Sequence, residues 1–578
     1  ERLLHALPYA VFGVLFLLTY RRWILPFQDS GREVMTAARL ADGERLYVDV
    51  ASWYGPLPNS VDALLFRAFG KHLDVLIAFR TLLALAGVEA LRRLLKRLVV
   101  SEAAAAVGAS FVVATCFFMR LGGAYPFPYS IGALEGFVGL LWALELALGA
   151  AGFAGCLAAA VVAGLAAGTK LEFFPAAIAG LGAGLLLSGE ERGRMKRAAV
   201  GVAVAGTLGA AAYLLPIAIV GRETIEKNGF LIARHLPETW QHLYALIFWA
   251  GGDGATFPGR FLVEVLLPTA VFVGLGVFAA RKSSRTSPVA LSLFFAGGVA
   301  CVLAPPPNHG LGGLVPFAIV ALLWEVGRTA KSGDLLNPGK ERAALFTVGV
   351  AMAPLLLRQP FSLLPNPYSA FSGPLPLAVA FVFLARIAGT SPRFFVFFAG
   401  LTAAQMGVRS YEYHRAPMRR FDFDRGSLTL YDREGILLDE IVSTLKARTP
   451  AGSYVAVFPE SGMVLFLSDR KNPFDNEQFL PGMQSDAQED EMIRRLDERP
   501  PAAAVLVNRS LHEYGARLFG FGYLERFRAE LERRMVVEKT LGQPDRTISE
   551  LPFPARADEA YFLVPAPHSS TAPATERP

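Results

Sequence analysis

The chain has 578 residues, of which 53% are apolar and 18% charged, with a mean hydropathy of +0.39; an average soluble protein carries about 25% charged residues. A wholly water-soluble enzyme is excluded. Basic residues exceed acidic ones by 56 to 50, but the excess lies in short loops between apolar runs, where it sets membrane orientation and does not indicate nucleic acid.

Charge divides the chain in two. Residues 1–408 hold 33 basic and 23 acidic side chains, and the 170 residues after them hold 23 and 27. Ionised groups are costly in hydrocarbon, so a membrane domain over 1–409 is expected, then a soluble domain over 410–564 and a disordered Pro/Ser/Thr/Ala-rich tail over 565–578. Thirteen segments approach the roughly 20 apolar residues that a spanning helix needs. They lie near 3–22, 73–91, 103–120, 130–149, 152–168, 172–188, 198–220, 262–280, 288–304, 313–328, 343–357, 374–389 and 393–409. The last three are short or broken by proline, which sets the count at about 11–13. Residues 3–20 have the length of a signal sequence, but no small-residue cleavage site follows, and a retained first span is expected. Cys116, Cys156 and Cys301 all sit inside apolar runs, as packing residues.

Alternate loops carry the basic residues: Arg92, Arg93, Lys96 and Arg97, then Arg192, Arg194, Lys196 and Arg197, then Arg281, Lys282 and Arg285, then Arg328, Lys331, Lys340 and Arg342. These face the cytoplasm by the positive-inside rule, against the local vote of Arg21 and Arg22, and the C-terminal domain then lies outside. Loops 23–72 and 221–261 are the long outer ones. Within the first, residues 34–46 and 61–69 have helical apolar spacing and read as short helices on the membrane surface. The soluble part reads as α/β, with helices near 435–447 and 487–499 and strands at 454–458 and 503–507.

Candidate chemistry begins at Gln28-Asp29-Ser30-Gly31-Arg32-Glu33, just outside the first span. Ser30 and Glu33 match a capping box, which accounts for Glu33 structurally; Asp29 is not required by it, and a carboxylate at the membrane boundary suits a general base or a metal ligand. Arg120, with Tyr125 to Tyr129 after it, Lys170 beside Glu172 in a tight helical turn, and Asn308-His309 stand at outer ends of spans. Such cations can hold a lipid phosphate or merely snorkel toward water. Glu135 and Glu145 lie inside an apolar helix and require a cavity or a partner. Asp422-Phe423-Asp424 has a nucleotide-sugar pattern without the strand and Gly-rich turn that would support it. No Walker loop, HExxH, GxSxG or metal-type Cys/His spacing occurs.

Asp29, followed by Ala41-Asp42-Gly43-Glu44-Arg45-Leu46-Tyr47-Val48-Asp49 and Tyr54-Gly55-Pro56-Leu57, resembles the first outer loop of multi-spanning bacterial glycosyltransferases related to protein O-mannosyltransferases and aminoarabinose transferases, the GT-C enzymes. The resemblance continues at Tyr125 to Ser130, at Gly168-Thr169-Lys170, and at Val457 to Ser461 through Ser468 to Pro473. It implies a polytopic GT-C-like fold in the cell (inner) membrane. It also implies transfer of a sugar from a polyprenyl-phosphate-linked donor to a lipid, protein or glycan acceptor on the outer face, with no nucleotide site. By position the family's catalytic acid is Asp29. Many members have a second acid directly after it, where this chain has Ser30, so Glu33 or Glu135 would have to act as partner. Arg120, Lys170, His309 and Tyr54 are the substrate-binding candidates, and a divalent metal completed by phosphate and water oxygens stays open. The rival classes are a transporter or flippase, for which no two-fold repeat of segment lengths is found, and a polysaccharide polymerase or ligase, whose key loop would fall late in the chain.

Overall fold

A computed structural model describes residues 2–99, 101–188, 193–230, 270, 314–335, 337–357, 369–388, 392–511, 514–542 and 557–566. The expected spans at 262–280 and 288–304, His309, residues 231–261 of the second outer loop and the tail from 567 lie outside them.

Within the described residues the chain is mostly helical. Helices α1 (Arg2–Thr19), α2 (Asp29–Ala41), α3 (Pro56–Phe69), α4 (Leu73–Val99), α5 (Glu102–Cys116), α6 (Ile131–Gly149), α7 (Gly152–Ala167), α8 (Phe173–Ser188), α9 (Arg194–Val220) and the short α10 (Arg222–Asn228) come first. Helices Leu314–Lys331, Lys340–Leu357, Pro374–Ala388 and Pro392–His414 follow. Except for α2, α3 and α10, these coincide with expected spans. Two, Ile131–Gly149 and Arg194–Val220, are long and apolar enough by themselves to cross a membrane, and shorter apolar helices stand beside them.

Small residues allow the helices to approach closely. A Cβ on Gly139 would fall 2.9 Å from the Ala166 Cβ, which brings α6 against α7. The outer faces stay apolar: Leu17, Leu82, Phe153, Leu165, Leu214, Ile219, Leu323 and Val396 are all exposed. In α9 only 17% of the apolar window is buried. An apolar helix that the protein itself leaves uncovered is suited to lipid and not to water.

The C-terminal part is α/β, as expected. A hairpin of β1 (Met418–Phe423) and β2 (Gly426–Tyr431) leads into the helix Asp432–Arg448. A four-stranded sheet follows in the order β3-β4-β6-β5, with β3 (Val455–Phe458) parallel to β4 (Ala503–Arg509), and β6 (Ala557–Pro565) antiparallel to both β4 and β5 (Met535–Gly542). The expected helices at 435–447 and 487–499 are Asp432–Arg448 and Asp486–Glu498. Asp422 and Asp424 sit at the exposed end of the β1–β2 hairpin, paired with Arg420 and Lys446. That placement accounts for them as surface charges.

One expectation is corrected. Residues 34–46 are expected to lie on the membrane surface; of these 34–40, with the rest of α2 from Ser30, are buried within the protein, while Asp42, Gly43 and Arg45 are exposed. The helix is covered by α3 on one side and by the helix Gly462–Ser468 of the C-terminal part on the other. The second crossing is a contact of backbones: a Cβ on Gly31 would lie 2.3 Å from the Met463 nitrogen, and one on Gly462 would lie 2.3 Å from the Gly31 carbonyl carbon. Backbone atoms cannot move aside as a flexible side chain can. Gly31→Val is therefore expected to destabilise by about 3 kcal/mol or more, at the upper end of overpacking costs. A detergent thermal midpoint equal to wild type would contradict this contact.

Candidate active site

Asp29 is the first helical residue of α2, preceded by the N-cap Gln28, which makes no side-chain cap. A carboxylate there is favoured by the unpaired N–H groups of the first turn. The capping box expected from Ser30 and Glu33 does not form. Ser30 lies inside the helix and its Oγ accepts from the Leu25 N–H at 3.3 Å. Glu33, 2% exposed, instead accepts from Arg32 Nη2 at 3.0 Å. Burial of α2 on both sides explains the difference, because a carboxylate enclosed this way is better matched by an adjacent guanidinium than by a helix-end amide.

Arg32 organises the site. Nη1 donates to Gln478 Oε1 at 2.7 Å and stands 3.3 Å from Asp29 Oδ1. Nη2 donates to the Tyr54 hydroxyl at 2.9 Å as well as to Glu33, and the guanidinium lies over the Trp53 and Tyr54 rings. Gln478 Nε2 in turn donates to Asp29 Oδ1 at 3.1 Å and to Glu460 Oε2 at 2.8 Å, while Glu460 Oε1 meets Arg509 Nη1 at 2.8 Å. The Asp29 side chain is 40% exposed, so this carboxylate is oriented from two sides and still open to an incoming group. Burial pushes the Glu33 carboxyl up against the downward pull of Arg32. Burial likewise raises the Tyr54 phenol, again opposed by Arg32.

Lys170 reaches the same place from the α7–α8 turn. The Gly55 N–H donates to the Thr169 carbonyl at 3.0 Å, and a Cβ on Gly55 would fall 2.0 Å from the Gly168 oxygen. Only glycine allows the Tyr54-Gly55 strap to lie against that turn. Lys170 Nζ then stands over the Tyr54 ring at 5.4 Å and the Tyr129 ring at 5.7 Å, with Glu172 at 3.1 Å.

Asp29, Glu33 and Tyr54 are thus joined through Arg32, and Lys170 reaches the group through the Tyr54 ring. Arg120 lies over the Tyr431 ring of β2, against the C-terminal hairpin. Beneath the site Arg80 pairs with Asp62 at 2.6 Å, both wholly buried, and Glu33 Oε2, Asp62 Oδ1 and Glu135 Oε1 are buried without a hydrogen-bond partner. Glu145 has its partner in Arg97 at 2.7 Å. Sequence reasoning missed the roles of Arg32, Glu460 and Gln478. Arg32 lies inside the acidic patch and Glu460 inside a family-like stretch, whereas nothing local marks Gln478. No group of three or more His, Cys, Asp or Glu able to hold a metal occurs among the described residues.

No family model and no curated protein sequence matches the chain. Among solved structures it is similar to the Archaeoglobus fulgidus oligosaccharyltransferase in complex with Zn and sulfate, with a TM-score of 0.47 and 12% identity over 86% of this chain and 67% of that one. It is also similar to ArnT from Cupriavidus metallidurans bound to undecaprenyl phosphate, with a TM-score of 0.45 and 16% identity over 96% of this chain and 97% of that one.

Proposed function

We propose that the chain is a polytopic membrane glycosyltransferase of about 11–13 spans that moves a sugar from a polyprenyl-phosphate-linked donor to an acceptor hydroxyl on the outer face of the membrane. The observation that carries this reading is the part-exposed Asp29 carboxylate, held by Arg32 and Gln478. In the proposed reaction the acceptor oxygen attacks the anomeric carbon and the bond from that carbon to the phosphate oxygen breaks. Polyprenyl phosphate departs with the bonding electron pair, and the hydroxyl proton passes to Asp29. A lipid phosphate is already a good leaving group, so one base and cations at the phosphate suffice. Glu33 serves here as a positioning residue through Arg32. Lys170 and Tyr54 take the donor, Arg120 and His309 are further candidates for its phosphate, and no step is routed through a metal.

Incubation of the purified protein with polyprenyl-phosphate pentoses and hexoses and a hydroxyl acceptor tests the reading. Release of polyprenyl phosphate with formation of a new glycoside is expected. Movement of the lipid between leaflets without any cleavage would instead favour the transporter class. In the same assay Lys170→Ala is expected to weaken donor binding by about 10- to 100-fold, the loss of a charge-assisted contact; unchanged affinity would return Lys170 to an anchoring role.

Orientation is tested separately. A thiol introduced at exposed Ser443 is expected to react with an impermeant reagent added outside, and one at exposed Ser332 to be spared. The reverse pattern would invert the topology.

A further inference from the structure

Three arginines from three helices converge on one buried carboxylate at the end of the helices away from Asp29. A Cβ on Gly180 of α8 would fall 2.8 Å from the Ala351 Cβ, and one on Gly184 3.3 Å from Thr347 Cγ2. The helix Lys340–Leu357 therefore runs antiparallel to α8. Since α8 starts at the Lys170 turn, Lys340–Leu357 starts at the far end. There Glu325, 2% exposed, accepts from Arg328 Nη2 at 2.8 Å and Nε at 3.1 Å, and from Arg342 Nε at 2.8 Å. Arg386, from the helix Pro374–Ala388, has Nη1 at 4.0 Å from the same carboxylate and Nη2 at 3.7 Å from that of Glu341, beyond hydrogen-bond reach of either.

The charges do not balance. Among the described residues Glu325 faces three guanidiniums, half-exposed Glu341 approaches only Arg386, and all three arginine side chains are still part-exposed. Arginines that only mark the end of a span would reach for water apart from one another, because like charges repel. These are drawn to one point, and a phosphate, whose several oxygens can each accept from a guanidinium, fits them. The neighbouring surface is apolar. Arg328 lies over the Trp324 ring at 5.5 Å, and Val320, Leu323 and Trp324 are exposed along one face at helical spacing. A Cβ on Gly327 would meet nothing within 4 Å, so the face beside Trp324 and Arg328 is open. A free phosphate would use the cations alone, whereas a phosphate carrying acyl chains uses both surfaces, and tryptophan is favoured at the level of lipid headgroups.

We propose that the ends of these three helices bind an anionic phospholipid of the leaflet opposite Asp29, its phosphate at Arg328, Arg342 and Arg386 and its acyl chains along Trp324, Leu323 and Val320. The excess positive charge repels the ammonium of a zwitterionic headgroup and so selects a lipid with net negative charge. The site rests on the membrane reading of the chain but not on sugar transfer. The test uses the full chain in phosphatidylcholine nanodiscs doped with phosphatidylglycerol brominated near the headgroup end of its acyl chains or, in parallel, with phosphatidylcholine brominated at the same place. Quenching of Trp324 is read as the difference from Trp324→Phe. In wild type the brominated phosphatidylglycerol is expected to reach half-maximal quenching at about a tenfold lower mole fraction than the brominated phosphatidylcholine, and Arg386→Gln is expected to cut that preference about fivefold, the contribution of one cation near a lipid surface. Arg386 makes no hydrogen bond to Glu325, so its loss leaves Arg328 and Arg342 in place. Inorganic phosphate is expected not to relieve the quenching; relief by it would mark a free-anion site and overturn the lipid. Equal quenching by the two lipids in wild type, or an unaltered preference in Arg386→Gln at a wild-type thermal midpoint, overturns the headgroup site while the membrane reading stands. Quenching by neither lipid would put Trp324 outside the acyl layer and remove the membrane reading together with the site.

Discussion

Asp29→Asn is expected to fold normally and to lose turnover by about 100-fold or more, the contribution typical of a positioned general base. Asparagine keeps an oxygen that accepts from Gln478 Nε2 and faces Arg32, so the geometry around position 29 survives. What disappears is the group able to take the acceptor proton. Donor affinity, set by other residues, is expected to change little. Purified wild type and variant with equal thermal midpoints, assayed for sugar transfer from a lipid-linked donor, decide the matter, and activity within a few-fold of wild type would remove Asp29 from the chemistry.

The second large effect is on stability. Arg80 and Asp62 form an ion pair of 2.6 Å with neither side chain exposed, and Arg80 Nε and Nη1 have no hydrogen-bond partner. Asp62→Asn removes the direct countercharge and leaves a buried cation, a change that costs about 3–5 kcal/mol. Glu33 is the next carboxylate whose charge acts on this pair, which places the expected loss toward the lower end. Burial already holds the Asp62 carboxyl above its ordinary range against the pull of Arg80. Replacing both members with leucine should recover most of the loss, because apolar residues of similar volume carry no desolvation burden. A detergent melting series of the two single variants and the double variant gives the coupling; a double variant as unstable as the sum of the singles would refute a direct pair.

The apolar helices were legible because a hydrocarbon layer imposes a simple rule of length and apolarity, and the boundaries of α6 and α8 follow that rule to within a residue or two. Asp29 stood out for a related reason: an acid directly after a long apolar run has few bland explanations. Gln478 had no such signal, since its bond to Asp29 joins residues 449 positions apart. The burial of α2 was hidden for another reason. Its amphipathic spacing suggests one wet face, but Arg32, Glu33 and Arg39 on that face are matched by Gln478, Arg32 and Glu477, so polar residues here mark an interior contact. β5 escaped notice because most of its residues are exposed, and the strand takes its place only through pairing with β6.

The crossing of Gly31 over Gly462 has a consequence in time. A nascent chain emerges in order, and a polypeptide ending at residue 457 already possesses Asp29 but lacks Gln478, the Glu477 that neutralises Arg39, and the helix that covers α2. The Asp29 carboxylate is therefore made first and held in place last. On the transferase reading proposed above, newly made chains are expected to lie idle until the final segment has closed over α2; stalled chains ending at residue 457 that turned over a lipid-linked donor at the full rate would contradict this latency.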